Sequence, residues 1–585
     1  MTAEWMASST MARLGDGELV AGFKGVRHCG GGLVRVAADA RARLAVLGDC
    51  GADESELAGA LAAVAAGRWG EVTRWPGSYW VLAENRRHRF VCGDMAGVRA
   101  VYYTTRLGQG TVWATQPRLL EDQQRLAVDL PFLAARLVAG EHHWPRRTPY
   151  QHVRQVPSGY GLLLADGALP QLVDVAGIEP CAELKDGVER FGTVLSEAVQ
   201  RRVRAADGTV GADLSGGLDS STAVVLASEA GAVHAVTYTD GYTSAEDASY
   251  AARVAEYARA KHTIARGDDR ELPFSPCLRG ADPCEPVFAM ANWAMDALYL
   301  APVAGLPLHL TGHGGDVVLD ASTACWVRLL QDGRRREAHR QAVAFARLRN
   351  TAPGPYWKSM TEAADLGRRG ALERAAAALE SSPFARDAAA GGWSWCRLGT
   401  AASWLTDQGR RHVASLLRQA ADDQQPEHAD VFDDWAALRA MGASARGWAP
   451  YAQALRIRPA YPYLDNQVVR AAFSIPALAR RGYLTYKPLL RAALPQLPGW
   501  LSSRRSKGSF TAQRIAGLAR HRLQLDELIV SSPLAQSDLI DPAAVRAALA
   551  QAARGQSAAG IAELHQFIVT SWWLTGQAPT LETAC

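Results

Sequence analysis

No C-x-x-C pair occurs in this chain of 585 residues, and its nine cysteines stand singly, Cys277 and Cys284 being the closest two. That spacing excludes a zinc ribbon and a redox dithiol. No stretch approaches the roughly 18 uninterrupted apolar residues that a membrane-spanning helix needs. The N-terminus has no basic segment followed by an apolar run, so no signal peptide is expected. Long basic blocks are missing too. The net charge is +4, and the densest basic run, Arg334-Arg335-Arg336, is bounded by Gly333 and Glu337. A run that short reads as a solvated helix face, and no nucleic-acid partner is expected. Neither an internal repeat nor a clear disordered linker is present. Together these absences predict a chain that works in a reduced, cytoplasmic setting with no membrane partner.

What is present is ordinary in bulk and particular in places. Hydrophobic residues make up 48% and charged residues 21%, as in a globular protein, and the length predicts more than one core. The 17 tryptophans are many, and Trp393, Trp395, Trp404 and Trp448 lie well beyond mid-chain. Most are expected in cores or domain contacts, a minority lining a site for a bulky substrate. Up to about residue 175, short β-like runs alternate with turn residues: Tyr79-Trp80-Val81-Leu82, Arg89-Phe90-Val91-Cys92, Ala100-Val101-Tyr102-Tyr103 and Gly161-Leu162-Leu163-Leu164. With a helix expected over 54–66, this predicts an α+β layered domain. Past Pro180 the pattern becomes helix and parallel strand. Val188, Phe191, Leu195, Ala198 and Val199 recur at helical spacing. A strand is expected over 209–214, a helix over 222–230 and a strand over 233–237, one βαβ unit. From about residue 325 the chain reads as mostly helical, with 419–427 its most polar loop.

The chemistry concentrates in Ser215-Gly216-Gly217-Leu218-Asp219-Ser220-Ser221, between the expected strand and helix. A glycine loop there offers backbone N–H groups and the positive end of a helix dipole to an anion. The serines add hydroxyls, and Asp219 adds a carboxylate able to hold magnesium. No G-K-[ST] follows the glycines, so the loop is not a Walker A sequence. It resembles the pyrophosphate-binding loop of the ATP pyrophosphatase superfamily, enzymes that cleave ATP between the α and β phosphates. A second segment, Thr311-Gly312-His313-Gly314-Gly315-Asp316, follows the strand candidate Leu308-His309-Leu310. It is similar to the segment that closes over the nucleotide in asparagine-synthetase-like enzymes. On that resemblance Asp219 and Asp316 are the two magnesium ligands, whose oxygens suit that ion. Leu214, Ser215, Gly216, Gly217, Asp219, Ser220, Ser221, Gly312 and Tyr238 are the implied ATP contacts.

Three further segments resemble elements of the same family: Tyr461-Pro462-Tyr463-Leu464-Asp465, Lys487-Pro488-Leu489-Leu490-Arg491 and Arg504-Arg505-Ser506-Lys507-Gly508. The last implies that Lys507 is catalytic, neutralising the pyrophosphate and the charge that develops in the transition state. The N-terminal part resembles the family's glutaminase domain through Pro76-Gly77-Ser78-Tyr79-Trp80, Gly93-Asp94-Met95-Ala96-Gly97-Val98 and Val156-Pro157-Ser158-Gly159-Tyr160. A glutaminase of this type needs an N-terminal cysteine. The chain instead begins Met1-Thr2-Ala3, and its first cysteine is Cys29. The resemblance therefore implies a degenerate glutaminase-like (Ntn-type) α+β sandwich over 1–175. An α/β ATP-pyrophosphatase-like synthetase domain, largely helical toward its C-terminus, would occupy 176–585. It implies no ammonia supply: the attacking amine arrives with the substrate.

Two branches of the family lose that cysteine, the β-lactam-forming synthetases and the lasso-peptide macrolactam synthetases. The first uses a tyrosine–glutamate pair that cannot be placed in this chain. His313 supplies a different group, whose ordinary pKa of about 6.5 suits proton acceptance from an amine. A structural histidine orienting the loop is the competing reading. Chain length, the tryptophan-bearing helical half and the segment from Leu564-His565-Gln566-Phe567 to Trp572-Trp573-Leu574 are similar to actinobacterial lasso cyclases. That likeness implies a linear core peptide as substrate, ATP and Mg2+ as cofactors, and a leader peptidase and leader-binding protein as partners. Glu285, before Pro286, is the residue expected to meet the substrate amine as a counter-charge. The competing readings are a β-lactam or other small-amide synthetase, a glutamine-dependent asparagine synthetase, a tRNA-modifying ATP pyrophosphatase and a non-catalytic nucleotide-binding protein.

Overall fold

The computed structural model describes residues 5–8, 17–29, 34–106, 110–120, 126–275, 283–381, 392–482, 486–504 and 508–576. Its N-terminal part is a sandwich of two six-stranded antiparallel sheets. One runs in the order Arg154–Gln155, Tyr102–Arg106, Gly110–Ala114, Trp5–Ser8, Val26–Cys29, Glu18–Leu19. The other runs Gln171–Asp174, Tyr160–Leu164, Arg89–Cys92, Gly77–Asn85, Ala42–Cys50, Arg35–Ala38. Alternation along the strands separates two cores. Ala45, Leu47, Trp80 and Leu82 point between the sheets with Met6, Tyr103 and Trp113. Leu44, Val46, Tyr79 and Val81 point the other way, onto Leu57, Leu61 and Val64. Those three sit on helices Glu54–Gly59 and Leu61–Ala65, which interrupt the single helix expected over 54–66.

Beyond residue 180 a third sheet forms from β1 (Val210–Asp213), β2 (Val233–Thr239), β3 (Lys261–Arg266), β4 (His309–Leu310) and β5 (Pro459–Ala460). All neighbours pair parallel, in the order β3-β2-β1-β4-β5. Helices α1 (Leu184–Ala205), α2 (Leu218–Ser228) and α3 (Ala245–Tyr257) belong to the same unit. Residues of all three share a core with the strands, including Phe191, Leu195, Val224, Leu226, Ala251 and Leu310. Strand β5 was not anticipated. It has two residues, and Pro459, which has no N–H to donate, is tolerated because the strand is an edge. The rest of the chain is helical. Pro353–Glu380 is bent at Gly367, Asp407–Asp422 extends into the stretch expected to be a loop, and Ala429–Ala454 is long. No helix of the described residues is long and apolar enough to cross a membrane.

A charged seam joins the sandwich to the parallel sheet. Arg470, almost fully buried, donates to the carbonyls of Ala176, Thr73 and Val175 at 2.8–3.0 Å and to Thr73 Oγ1 at 3.1 Å. Arg202 lies 2.6 Å from Asp49 and 3.0 Å from Asp465, and Met95 N–H donates to Asn466 Oδ1 at 2.8 Å.

Candidate active site

In an open parallel sheet, ligands lie at the carboxyl ends of the strands where strand order reverses. Here the reversal falls between β1 and β4, whose carboxyl ends run into the two glycine segments singled out above. The first loop has a fixed base. Leu214 is fully buried, donates its N–H to Val236 O at 2.8 Å, and accepts from Thr237 Oγ1 at 2.5 Å. Gly216 has φ +76°, and a Cβ there would lie 2.1 Å from the Asp247 carbonyl oxygen. Only glycine fits that turn. Ser215 N–H donates to Ser220 Oγ at 3.1 Å, and Gly217 N–H donates to Ser215 Oγ at 3.3 Å, so the serines brace the loop. No side chain caps α2 at Gly217, which leaves the positive end of the helix dipole to whatever anion the loop holds. The buried Ser221 Oγ has no partner among the described residues.

The second loop lies directly on the first. A Cβ on Gly315 would fall 2.5 Å from Asp219 Cγ, and one on Gly312 would fall 2.7 Å from Ser220 N. Lacking side chains, these residues let Asp316 come up beside Asp219. Between the two carboxylates stands Lys487. Its Nζ is 2.5 and 2.6 Å from the Asp219 oxygens and 2.7 Å from Asp316 Oδ1. Burial alone would lower the Lys487 pKa; Asp219 and Asp316 outweigh it and hold the lysine charged well above its ordinary range. Its backbone is left-handed, φ +46°, a conformation that costs a non-glycine residue about 1 kcal/mol or more. Tyr463, fully buried, donates its hydroxyl to the Asp219 carbonyl at 2.9 Å. Arg504 donates to the Gly216 carbonyl and to Asp247, and Gly508 N–H reaches Asp247 Oδ2 at 3.0 Å.

Sequence reasoning brought Asp219, Asp316, Gly312 and the serine–glycine loop to one place. Lys487, Tyr463 and Arg504 lay within segments it had marked, but it gave them no task. Lys507 lies outside the described residues. His313 sits at the same locus with its Nε2 2.9 Å from the Met441 carbonyl, so that nitrogen donates and only Nδ1 is left to accept a proton. Burial lowers its pKa, partly offset by Met441 O and by the charges of Asp213 and Asp316, so the ring is neutral near pH 7. Tyr238, at the carboxyl end of β2, donates to Asp240 Oδ2 at 3.1 Å. Glu285 does not join the two loops. Its carboxylate is 2.6 Å from Arg446 and 3.9 Å from Arg136, which leaves it no unbalanced charge to offer an amine.

Among the described residues no three His, Cys, Asp or Glu side chains converge on a metal position. Magnesium is commonly held by one or two carboxylates with the remaining positions taken by phosphate oxygens and water. Asp219 and Asp316 are two carboxylates facing each other across the Lys487 ammonium.

A glycine loop and two acids thus meet at the switch point of a parallel sheet in a domain of the α/β class. The comparison with family models narrows this: the asparagine synthase model matches residues 190–575, and the chain belongs to that family. Its members are ATP-dependent amide-bond-forming synthetases, usually working with Mg2+. No curated protein matches the chain. Among solved structures, a glutamine phosphoribosylpyrophosphate amidotransferase from B. subtilis, complexed with ADP and GMP, is 10% identical at a TM-score of 0.17. That match covers 40% of this chain and 48% of the other. A structure described as the allosteric regulatory enzyme of purine biosynthesis is 12% identical at 0.17, covering 42% and 64%. The chain thus spans about half to two-thirds of those proteins, a likeness too slight to carry fold or function.

Proposed function

We propose that the protein is an AMP-forming macrolactam synthetase of lasso-peptide biosynthesis, with an ATP-pyrophosphatase-type synthetase domain behind a degenerate glutaminase-like sandwich. ATP is a substrate in this reading. An Asp or Glu side-chain carboxylate of a linear core peptide attacks the α-phosphorus, pyrophosphate leaves, and an acyl-adenylate forms. The peptide's N-terminal amine then attacks the acyl carbon, AMP departs, and the amine's proton passes to a base. The observation that carries the adenylating part is Lys487 bridging Asp219 and Asp316 beside the uncapped end of α2. Magnesium, held by the two acids, would neutralise phosphate charge. Lys487 supplies a fixed positive charge where negative charge gathers. Ser215, Gly217 and Ser220 orient the phosphates, and Tyr463 holds the Asp219 backbone in place. His313 Nδ1 accepts the amine's proton, a modest task because an α-amino group with pKa near 7.7–8.0 is already partly neutral at pH 7.

The peptide assignment is supported by the tryptophan-rich helical half. Ring closure within one peptide makes orientation the enzyme's second task. The test is mass spectrometry of a linear core peptide, encoded beside the gene, incubated with enzyme, ATP and Mg2+. Loss of one water, dependent on ATP and abolished in Asp316→Ala, is the expected result. Consumption of a small amino-dicarboxylate with no peptide cyclised would replace this reading with a β-lactam-type synthetase.

A further inference from the structure

Helix Ala429–Ala454 turns one face toward the sandwich. Trp435, Arg439, Gly442 and Arg446 follow one another at four, three and four residues, the spacing that stacks side chains on one side of a helix. Three of the four have their contacts there. The Trp435 ring lies where a Cβ on Gly159 would come within 2.7 Å, and a Cβ on Gly442 would lie 1.9 Å from the Ala96 carbonyl. Arg446 donates to the Gly97 carbonyl and, at 2.6 and 3.1 Å, to Glu285 Oε1. Arg439 is the exception. Its Nη2 is buried with no hydrogen-bond partner among the described residues. The acid nearest in electrostatic effect, Glu141, is committed to Arg136 at 2.7 Å.

The surroundings of Arg439 hold further nitrogens of the same kind. His143 is fully buried, and neither of its ring nitrogens has a partner. The His143 ring lies 4.0 Å from that of His142 and stacks on Phe432 at 6.2 Å, and the Arg368 guanidinium lies 5.9 Å from the Phe432 ring. Arg368 donates to the carbonyls of Asp423 and Ala420, yet its Nε is also buried without a partner. His142, His143 and Arg368 thus share Phe432 as a neighbour, two helical turns before Arg439, and buried nitrogens of His143, Arg368 and Arg439 lack acceptors among the described residues. A buried cation left unmet is costly, and an anion relieves it.

We propose that Arg439, with His142, His143 and Arg368 around it, binds a carboxylate of the substrate other than the one that is activated. This rests on the amide-synthetase reading above. A guanidinium matches a carboxylate in two parallel hydrogen bonds. A guanidinium carries a single positive charge and balances one negative charge, whereas the multiple charges of phosphate belong at Lys487. Arg439 is two residues from Met441, about 3 Å along the helix axis, and the Met441 carbonyl holds His313. The helix that positions the proton acceptor therefore also anchors the far end of the substrate.

The test is thermal unfolding of the full chain in chloride, acetate, succinate and phosphate at equal ionic strength, which needs no turnover. Acetate and succinate are expected to raise the wild-type midpoint above its chloride value by about 2 °C or more. Arg439→Gln should abolish that rise and Arg439→Lys should keep part of it. No rise in the wild type, an equal rise in Arg439→Gln, or a rise with phosphate as large as with the carboxylates overturns the proposal. A turnover arm then ties the site to substrate. Amidation of the second carboxylate should raise KM about tenfold in the wild type and leave it nearly unchanged in Arg439→Gln. If no amine–acid substrate is joined with ATP, the synthetase reading fails, while the anion response still decides the site.

Discussion

Two of the places where this protein buries charge are built differently. At the seam between sandwich and parallel sheet, Arg470 spends its donors on backbone carbonyls and Thr73, and Arg202 closes on Asp49 and Asp465. Guanidinium groups in fixed forks make such a joint rigid and specific. At the switch point the cation is a lysine, a point charge on a flexible stem. One of its acids, Asp316, has a side chain 59% exposed. The seam pairs guanidinium groups with carbonyls and carboxylates in fixed forks, whereas at the switch point a lysine meets a carboxylate that water reaches.

The comparison can be broken at several points. Asp219→Ala or Asp316→Ala should lower the rate of ATP-dependent product formation by about 1,000-fold or more, read as pyrophosphate release. Lys487→Met keeps the bulk without the charge, and single-turnover kinetics should show a fall of about 100- to 1,000-fold. The seam predicts the opposite pattern. Arg470→Met strands several carbonyls and should cost about 3 kcal/mol of stability by denaturant unfolding, with kcat per folded molecule unchanged. A seam variant that lost kcat while keeping its stability would erase the distinction.

The smallest effect concerns Asp296. Burial raises its pKa from 3.8 to about 7, opposed by the Trp448 indole N–H that it accepts at 3.0 Å and reinforced by Asp213. Because the folded value exceeds the unfolded one, folding takes up a proton between pH 3.8 and 7. This group's contribution to stability is full below that window, falls as pH rises through it, and levels off above. Asp296→Asn should match wild type near pH 4 and exceed it by roughly 1–3 kcal/mol at pH 8, measured by denaturant unfolding across pH.

The switch point was legible in the sequence to the extent that it is built from short strings. Gly216, Asp219, Gly312 and Asp316 sit in two runs whose glycines and acids carry their meaning locally. Lys487 was quoted as part of a motif, but its position between two carboxylates depends on three distant segments meeting. Tyr463 was hidden likewise. The expectation for Glu285 failed to foresee Arg446, whose approach is a tertiary fact. In the sandwich, the runs around Trp80 and Phe90 were readable because alternation is a local signal. Strand β5 was not, since two residues have no periodicity to read. Arg439 was invisible for the opposite reason: its significance is a missing partner, which no sequence displays.

Strand β5 has a further consequence. It pairs with β4 although the chain from Gly315 to Ala454 intervenes, and Tyr463 and Lys487 lie beyond it. Closing so long a loop carries an entropic cost and is a slow, non-local step in folding. During synthesis, therefore, both glycine loops leave the ribosome well before the tyrosine and lysine that complete them. The candidate site is therefore complete only after the segment from β5 to Lys487 has joined the sheet.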